Sequence, residues 1–148
     1  MSSGIVYPDQ YILNRKGPVV FSVQSRRDTT IRFQLNRYDE GGAFVAGNII
    51  PGSDVIMTVR AAPSEEEAIA TWTASRLNAS RLLEFEINVL FTDLALGWDI
   101  GERFRVLIAD IHVRSPVAGT ANFYIFSVRD AEANFLFPFY VWNSATSG

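Results

Sequence analysis

Few residues of this 148-residue chain could carry acid–base chemistry, and they are scattered along it. His112 is the only histidine, and residues 110–114 alternate as a strand that places it on the solvent side. A Ser–His–Asp triad needs a histidine beside a positioned serine, and no Gly-x-Ser-x-Gly elbow is present. The sequence therefore predicts no catalytic residue, and we expect the protein not to be an enzyme.

Two acidic patterns also have an ordinary structural interpretation. Glu84 and Glu86 share one face of a predicted strand, as glycosidase carboxylates can, but exposed strand positions often carry charge for solubility. Residues 39–42 pair two acidic residues with two glycines, without the ligand spacing of a calcium loop. Because cysteine is absent and histidine occurs once, neither a metal site nor a cofactor is predicted.

The three tryptophans suggest one binding alternative. Flat aromatic rings stack on sugars, and Trp98, in a predicted loop, is the best candidate, with Trp72 second. This pattern predicts a carbohydrate-binding adhesin module, although a core or interface role is favoured for each ring over glycan stacking.

Composition limits the remaining classes. With 48% hydrophobic residues and eleven phenylalanines, the chain can bury the core of one domain. The net charge of −3 and the dispersed basic residues predict no nucleic-acid partner. The first residues lack a secretory pattern, and no apolar run reaches the length of a membrane span.

Alternating apolar residues predict several half-buried strands. The clearest examples place Ile31, Phe33 and Leu35, then Val55, Met57 and Val59, then Leu83, Phe85, Ile87 and Val89 on one face each. Short strands separated by turn residues are typical of an antiparallel, immunoglobulin-like β-sandwich. We therefore predict an all-β fold of that type.

Later in the chain the pattern is less regular. Apolar residues at Phe104, Val106 and Ile108 change phase to Ile111 and Val113, which predicts a β-bulge near residues 109–110. A hairpin turn is expected at residues 116–119. Residues 92–97 are expected to form one short helical turn, capped by Thr92 and ended by Gly97.

The sequence divides into three parts. Residues 1–18 predict an N-terminal arm, residues 19–130 the sandwich domain, and residues 131–148 a C-terminal strand or tail. Residues 135–142 carry no charge and lack polar alternation. Such a run fits either a strand buried by its own domain or a segment that packs against a neighbouring subunit.

The strand motifs carry a family resemblance. They are residues 27–35 (RDTTIRFQL), the glycines at 41–42, residues 54–60 (DVIMTVR) and residues 101–106 (GERFRV). Over about residues 19–130 the chain resembles the N-terminal immunoglobulin-like domain of phage upper baseplate proteins. Given its size, the chain is also similar to small capsid decoration, or cement, proteins of tailed phages.

This resemblance implies a virion structural protein, assembled in the host cytoplasm, that stabilises a capsid by subunit contacts. A tail, baseplate or fibre adaptor is the related alternative. The implied partners are major capsid or tail proteins and further copies of the chain, with a trimer as one possible form. The predicted contact residues are Tyr7, Tyr11, Arg15, Arg26, Arg27, Phe135, Phe137, Phe139, Tyr140 and Trp142.

Overall fold

The computed structural model describes residues 11–13, 21–38, 44–45, 53–76, 83–90, 92–94, 96–117, 119–130 and 134–143. These residues contain strands and turns and no helix, so the all-β class is confirmed. The strands are β1 Tyr11–Leu13, β2 Phe21–Gln24, β3 Thr29–Tyr38, β4 Phe44–Val45, β5 Asp54–Arg60, β6 Ala70–Thr73, β7 Ser75–Arg76, β8 Leu83–Val89, β9 Phe104–Pro116, β10 Phe123–Arg129 and β11 Leu136–Trp142.

Hydrogen bonds join these strands into one mixed sheet. Its longest path runs β2-β11-β9-β10-β1-β3-β8-β7, with β5 and β6 branching from β9 and with β4 beside β3. Two pairings are parallel, β2 with β11 and β1 with β10. The prediction of a wholly antiparallel fold is therefore wrong, because an early strand lies beside a late one in both places.

Strand β9 lies in the middle of the sheet and pairs with three other strands. Along one edge its residues 108–114 pair with β5, and along the other edge residues 104–110 pair with β11 and residues 112–116 with β10. All three ladders keep an unbroken register, so the predicted bulge is wrong. The buried side chains of β9 are Leu107, Ala109, Ile111 and Val113. The other apolar residues of the strand, Phe104, Val106 and Ile108, lie on the opposite face.

The inward residues of most of these strands pack together in one hydrophobic core. The predicted core phases of β3, β5 and β8 are confirmed at their described side chains. Phe21 of β2 packs edge-on against Phe33 of β3, with ring centroids 6.3 Å apart, although these strands share no ladder. The sheet therefore folds over on itself and encloses its apolar side chains.

Two turns were predicted from sequence. The β9–β10 hairpin turn is confirmed, with the Val117 amide donating to the Asn122 carbonyl at 3.0 Å and with Gly119 at a φ of 76°. The expected helical turn at 92–97 is not found: of the described residues there, only Thr92 and Asp93 form a turn and none is helical. Asp93 instead accepts hydrogen bonds through Oδ2 from the Leu90 amide and from Trp72 Nε1, each at 2.9 Å.

Within the described ranges, no helical segment has the length and apolar character that a membrane crossing would require.

Candidate functional site

Strand β11 has two apolar faces with different surroundings. Phe137, Phe139 and Val141 are buried, and the Phe139 ring stacks on Trp72 with centroids 5.9 Å apart and planes 18° apart. Phe137 and Phe139 are thus core residues, which corrects their assignment as surface contacts. The intervening side chains point outward, so the strand is neither buried on both faces nor a free tail.

The outward residues of β11 meet outward residues of β9. Trp142 pairs with Phe104, and Tyr140 pairs with Val106. The Phe104 ring lies 5.1 Å from the Trp142 ring and 5.9 Å from the Tyr140 ring, measured between centroids. We call this surface the aromatic face; its members are Phe104, Val106, Leu136, Pro138, Tyr140 and Trp142.

The aromatic face is held on a rigid support. Its members alternate with core residues on two paired strands, so burial of the inner side chains positions the outer ones. Trp142 Nε1 donates a 2.9 Å hydrogen bond to Ser22 Oγ on the neighbouring strand β2. Backbone and indole are therefore both anchored, which lowers the entropy that a partner must remove on binding.

A charged cluster lies at the start of β9, where Arg105 has the phase of buried Leu107 and not that of the outward Phe104 and Val106. Arg105 Nη2 donates to Glu102 Oε1 and to the Gly97 carbonyl, both at 2.6 Å, and the guanidinium lies 5.1 Å from the Trp98 ring centroid. Hydrogen bonds from Arg105 and from the Asp99 amide lower the pKa of Glu102. The same pairing raises the pKa of Arg105, so both groups stay ionised and paired.

Both glycan-stacking candidates make contacts within the chain. Arg105 covers one side of the half-buried Trp98, while Trp72 is held between the Phe139 ring and the Asp93 carboxylate. Trp72 is therefore a packing residue, and its ring face toward Phe139 is closed to a sugar.

The only histidine lies on the same outer face of the sheet, farther along β9. Arg60 Nη1 donates to Asp110 Oδ2 at 2.6 Å, while His112 Nδ1 is 3.7 Å from Asp110 Oδ1, beyond a normal hydrogen bond. Nearby His112 and the Arg60 guanidinium lower the pKa of Asp110 against the opposing effect of burial. Because Arg60 engages the carboxylate, this cluster is better suited to pairing charges than to activating a nucleophile.

A smaller apolar patch occupies the far end of β9 and β10. The Arg114 guanidinium lies 3.6 Å from the centroid of the exposed Phe123 ring, and Ile125 is exposed opposite Arg114. Among the described residues no cluster of three or more histidine, aspartate or glutamate side chains could hold a metal ion.

The other predicted contact residues are dispersed. Tyr7 and Arg15 lie outside the described residues, and Tyr11 begins β1. Arg26 and Arg27 are exposed in the turn after β2, and Phe135 is exposed just before β11. Tyr140 and Trp142 are the two predicted contacts that the structure brings together, and they share the aromatic face.

Sequence reasoning missed the partners of these two rings. Phe104, Val106, Leu136 and Pro138 complete the face, and Ser22 anchors it. The available signal is the apolar alternation at positions 104, 106 and 108, which by sequence alone indicates a change of phase and not a second apolar face. No protein-family model matches the chain, and no curated protein matches its sequence.

Proposed function

We propose that this chain is a non-enzymatic structural protein of a virus particle, a capsid decoration protein that acts by burying its aromatic face against protein. The observation that carries the proposal is a cluster of outward aromatic and aliphatic residues on two paired strands. Contiguous exposed apolar patches mark interaction sites on soluble domains, and aromatic residues are the commonest anchors of such interfaces.

The size of the face supports a protein contact. Phe104, Val106, Leu136 and Trp142 are each 41–45% exposed, and Pro138 and Tyr140 are half-buried. With large side chains at about 150–250 Å² each, these residues offer on the order of 400 Å² of apolar surface. A standard interface uses roughly 800 Å² from each partner, so the face can supply the apolar centre of one.

The viral setting and the finer fold rest on different support. The resemblance of residues 19–130 to phage baseplate and decoration proteins supplies the setting. An immunoglobulin-like sandwich is favoured by the single core that the folded sheet encloses and by the contact of Phe21 with Phe33. The parallel pairings of β1 and β2 would be additions to that plan.

Two alternative functions would use different surfaces. A tail, baseplate or fibre adaptor would bury the aromatic face against another virion protein. A carbohydrate-binding adhesin would instead stack a sugar on Trp98 or Trp72. Arg105 lies over one side of the Trp98 ring and Phe139 stacks on Trp72, so little free ring surface is left and we expect a glycan array to give no binding.

Immunogold labelling tests the proposal. Particles purified from cultures that express the chain are probed with an antibody raised against it, with unrelated particles as the control. Regular label over the capsid is expected. Label on the tail would favour the adaptor, and particles that contain no copy of the chain would overturn the virion assignment.

A further inference from the structure

We infer that the aromatic face is covered by a second copy of this chain, packed sheet on sheet about a twofold axis. This inference rests on the proposed function, because it names the partner of the surface already described. It assigns a dimer as the unit that assembles.

The geometry of the face favours another sheet as its partner. The outward side chains stand in cross-strand rows, Trp142 beside Phe104 and Tyr140 beside Val106, on two strands in continuous register. Sheets stack about 10 Å apart and interdigitate such rows. A twofold contact needs only one self-complementary patch, and both copies supply the same one.

The charges around the face do not require a charged partner. Arg60 pairs with Asp110 beside Leu136 at 2.6 Å within the chain. The other ion pair of β9, Arg105 with Glu102, involves a residue of the opposite phase, so it does not lie on the face. The net charge of −3 gives only weak repulsion between copies. The six members of the face carry no charge, so a nucleic acid or a strongly charged protein would have no opposite charge to pair with there. A second, identical apolar face would fit it.

The area predicts the strength of the contact. About 400 Å² from each copy gives about 800 Å² in total, which is below the roughly 1,200 Å² of a stable interface, so the dimer should be weak and form reversibly. We expect a micromolar dissociation constant that changes little with salt, because apolar burial rather than charge drives the association.

The experiment measures the mass of the full chain in solution. Light scattering from about 1 µM to about 300 µM spans a micromolar dissociation constant. The wild type is compared with Val106→Lys and Leu136→Lys, which place a charge within the face. The control is Leu90→Lys, because Leu90 is 46% exposed, like Leu136 at 45%, but lies at the end of β8.

We expect the wild type and Leu90→Lys to pass from one chain to two as concentration rises. Both face variants should raise the dissociation constant at least about tenfold, since a buried charge at an interface centre is poorly tolerated. Circular dichroism confirms that each variant is folded. A wild type that stays monomeric, a trimer, or a dimer unaffected by the folded face variants overturns the inference.

Co-sedimentation with purified particles separates this inference from the proposed function. A monomeric wild type that binds particles, with binding lost in Val106→Lys, would refute the dimer and leave the proposed function standing. A dimer that is sensitive to Val106→Lys but absent from particles would support the inference and refute the virion role.

Discussion

Phe139 and Tyr140 are neighbours in one strand, yet their rings belong to two different surfaces. Phe139 is fully buried and stacks on Trp72, while Tyr140 lies outward with its ring centroid 5.9 Å from that of Phe104. A strand places successive side chains on opposite faces, so β11 builds the core and the candidate contact surface together. Stability and binding should therefore respond to different residues of one short segment.

Alanine substitutions at these two positions test that separation. Phe139→Ala should lower the free energy of unfolding by about 3–5 kcal/mol, because it leaves a cavity among packed rings. Tyr140→Ala should lower it by about 1 kcal/mol or less, since its ring is already partly in water. Urea denaturation of both variants makes the comparison, and equal losses would contradict the assignment of the two faces.

Removing the end of the chain is a second test. Truncation after Ala133 deletes β11, which pairs with both β9 and β2 and places Phe137, Phe139 and Val141 in the core. The truncated chain should be unfolded or insoluble, as seen in its circular dichroism spectrum. A truncated chain with a cooperative thermal transition would mean that these residues are a dispensable tail.

The Asp93 carboxylate should stabilise the fold because it accepts two hydrogen bonds. Asp93→Ala leaves Trp72 Nε1 and the Leu90 amide without their acceptor, so we expect a loss of about 1–3 kcal/mol. Glu66→Ala, in an exposed loop, is the matched control and should change little. Urea unfolding monitored by tryptophan fluorescence measures both. A loss as small as that of the control would show that these two hydrogen bonds do not contribute to stability.

Acid should weaken the fold in part through Asp110. Its pKa is lowered by His112 and by Arg60, so its carboxylate stabilises the native state above the unfolded pKa near 3.8. That contribution is lost as the pH falls through the lower folded value. Asp110→Asn should therefore cost about 1 kcal/mol at pH 7, and the difference from wild type should shrink in strong acid. Urea unfolding at several pH values measures it, and a pH-independent difference would contradict this role.

The sequence predicts the inward phases of β3, β5 and β8 because the opposite phase is polar, apart from Ile56 in β5. In β9 and β11 both faces are apolar at residues 106–109 and 136–142, so periodicity could not tell which phase is buried. That ambiguity produced the false bulge, and it placed Phe137 and Phe139 at the surface. The neighbours of these strands decide the phase, and strand pairing is a long-range property.

Other features could not be predicted from local pattern at all. Trp142 donates a hydrogen bond to Ser22, 120 residues away in the sequence, because β11 pairs in parallel with β2. Trp72 donates a hydrogen bond to Asp93, which lies in the turn after β8. Each contact depends on which distant strands lie side by side, so the partner of a tryptophan is visible only in the folded chain.

Oxidative footprinting of the chain in purified particles, compared with the dilute free chain, tests most directly whether the aromatic face binds protein. Modification of Trp142 and Tyr140 is measured by mass spectrometry, and Trp98, outside the face, serves as the internal control. The account predicts strong protection of Trp142 and Tyr140 in the particle, with Trp98 little changed. Equal modification of Trp142 in both states would contradict the claim, because the face would then remain open to water in the assembled protein.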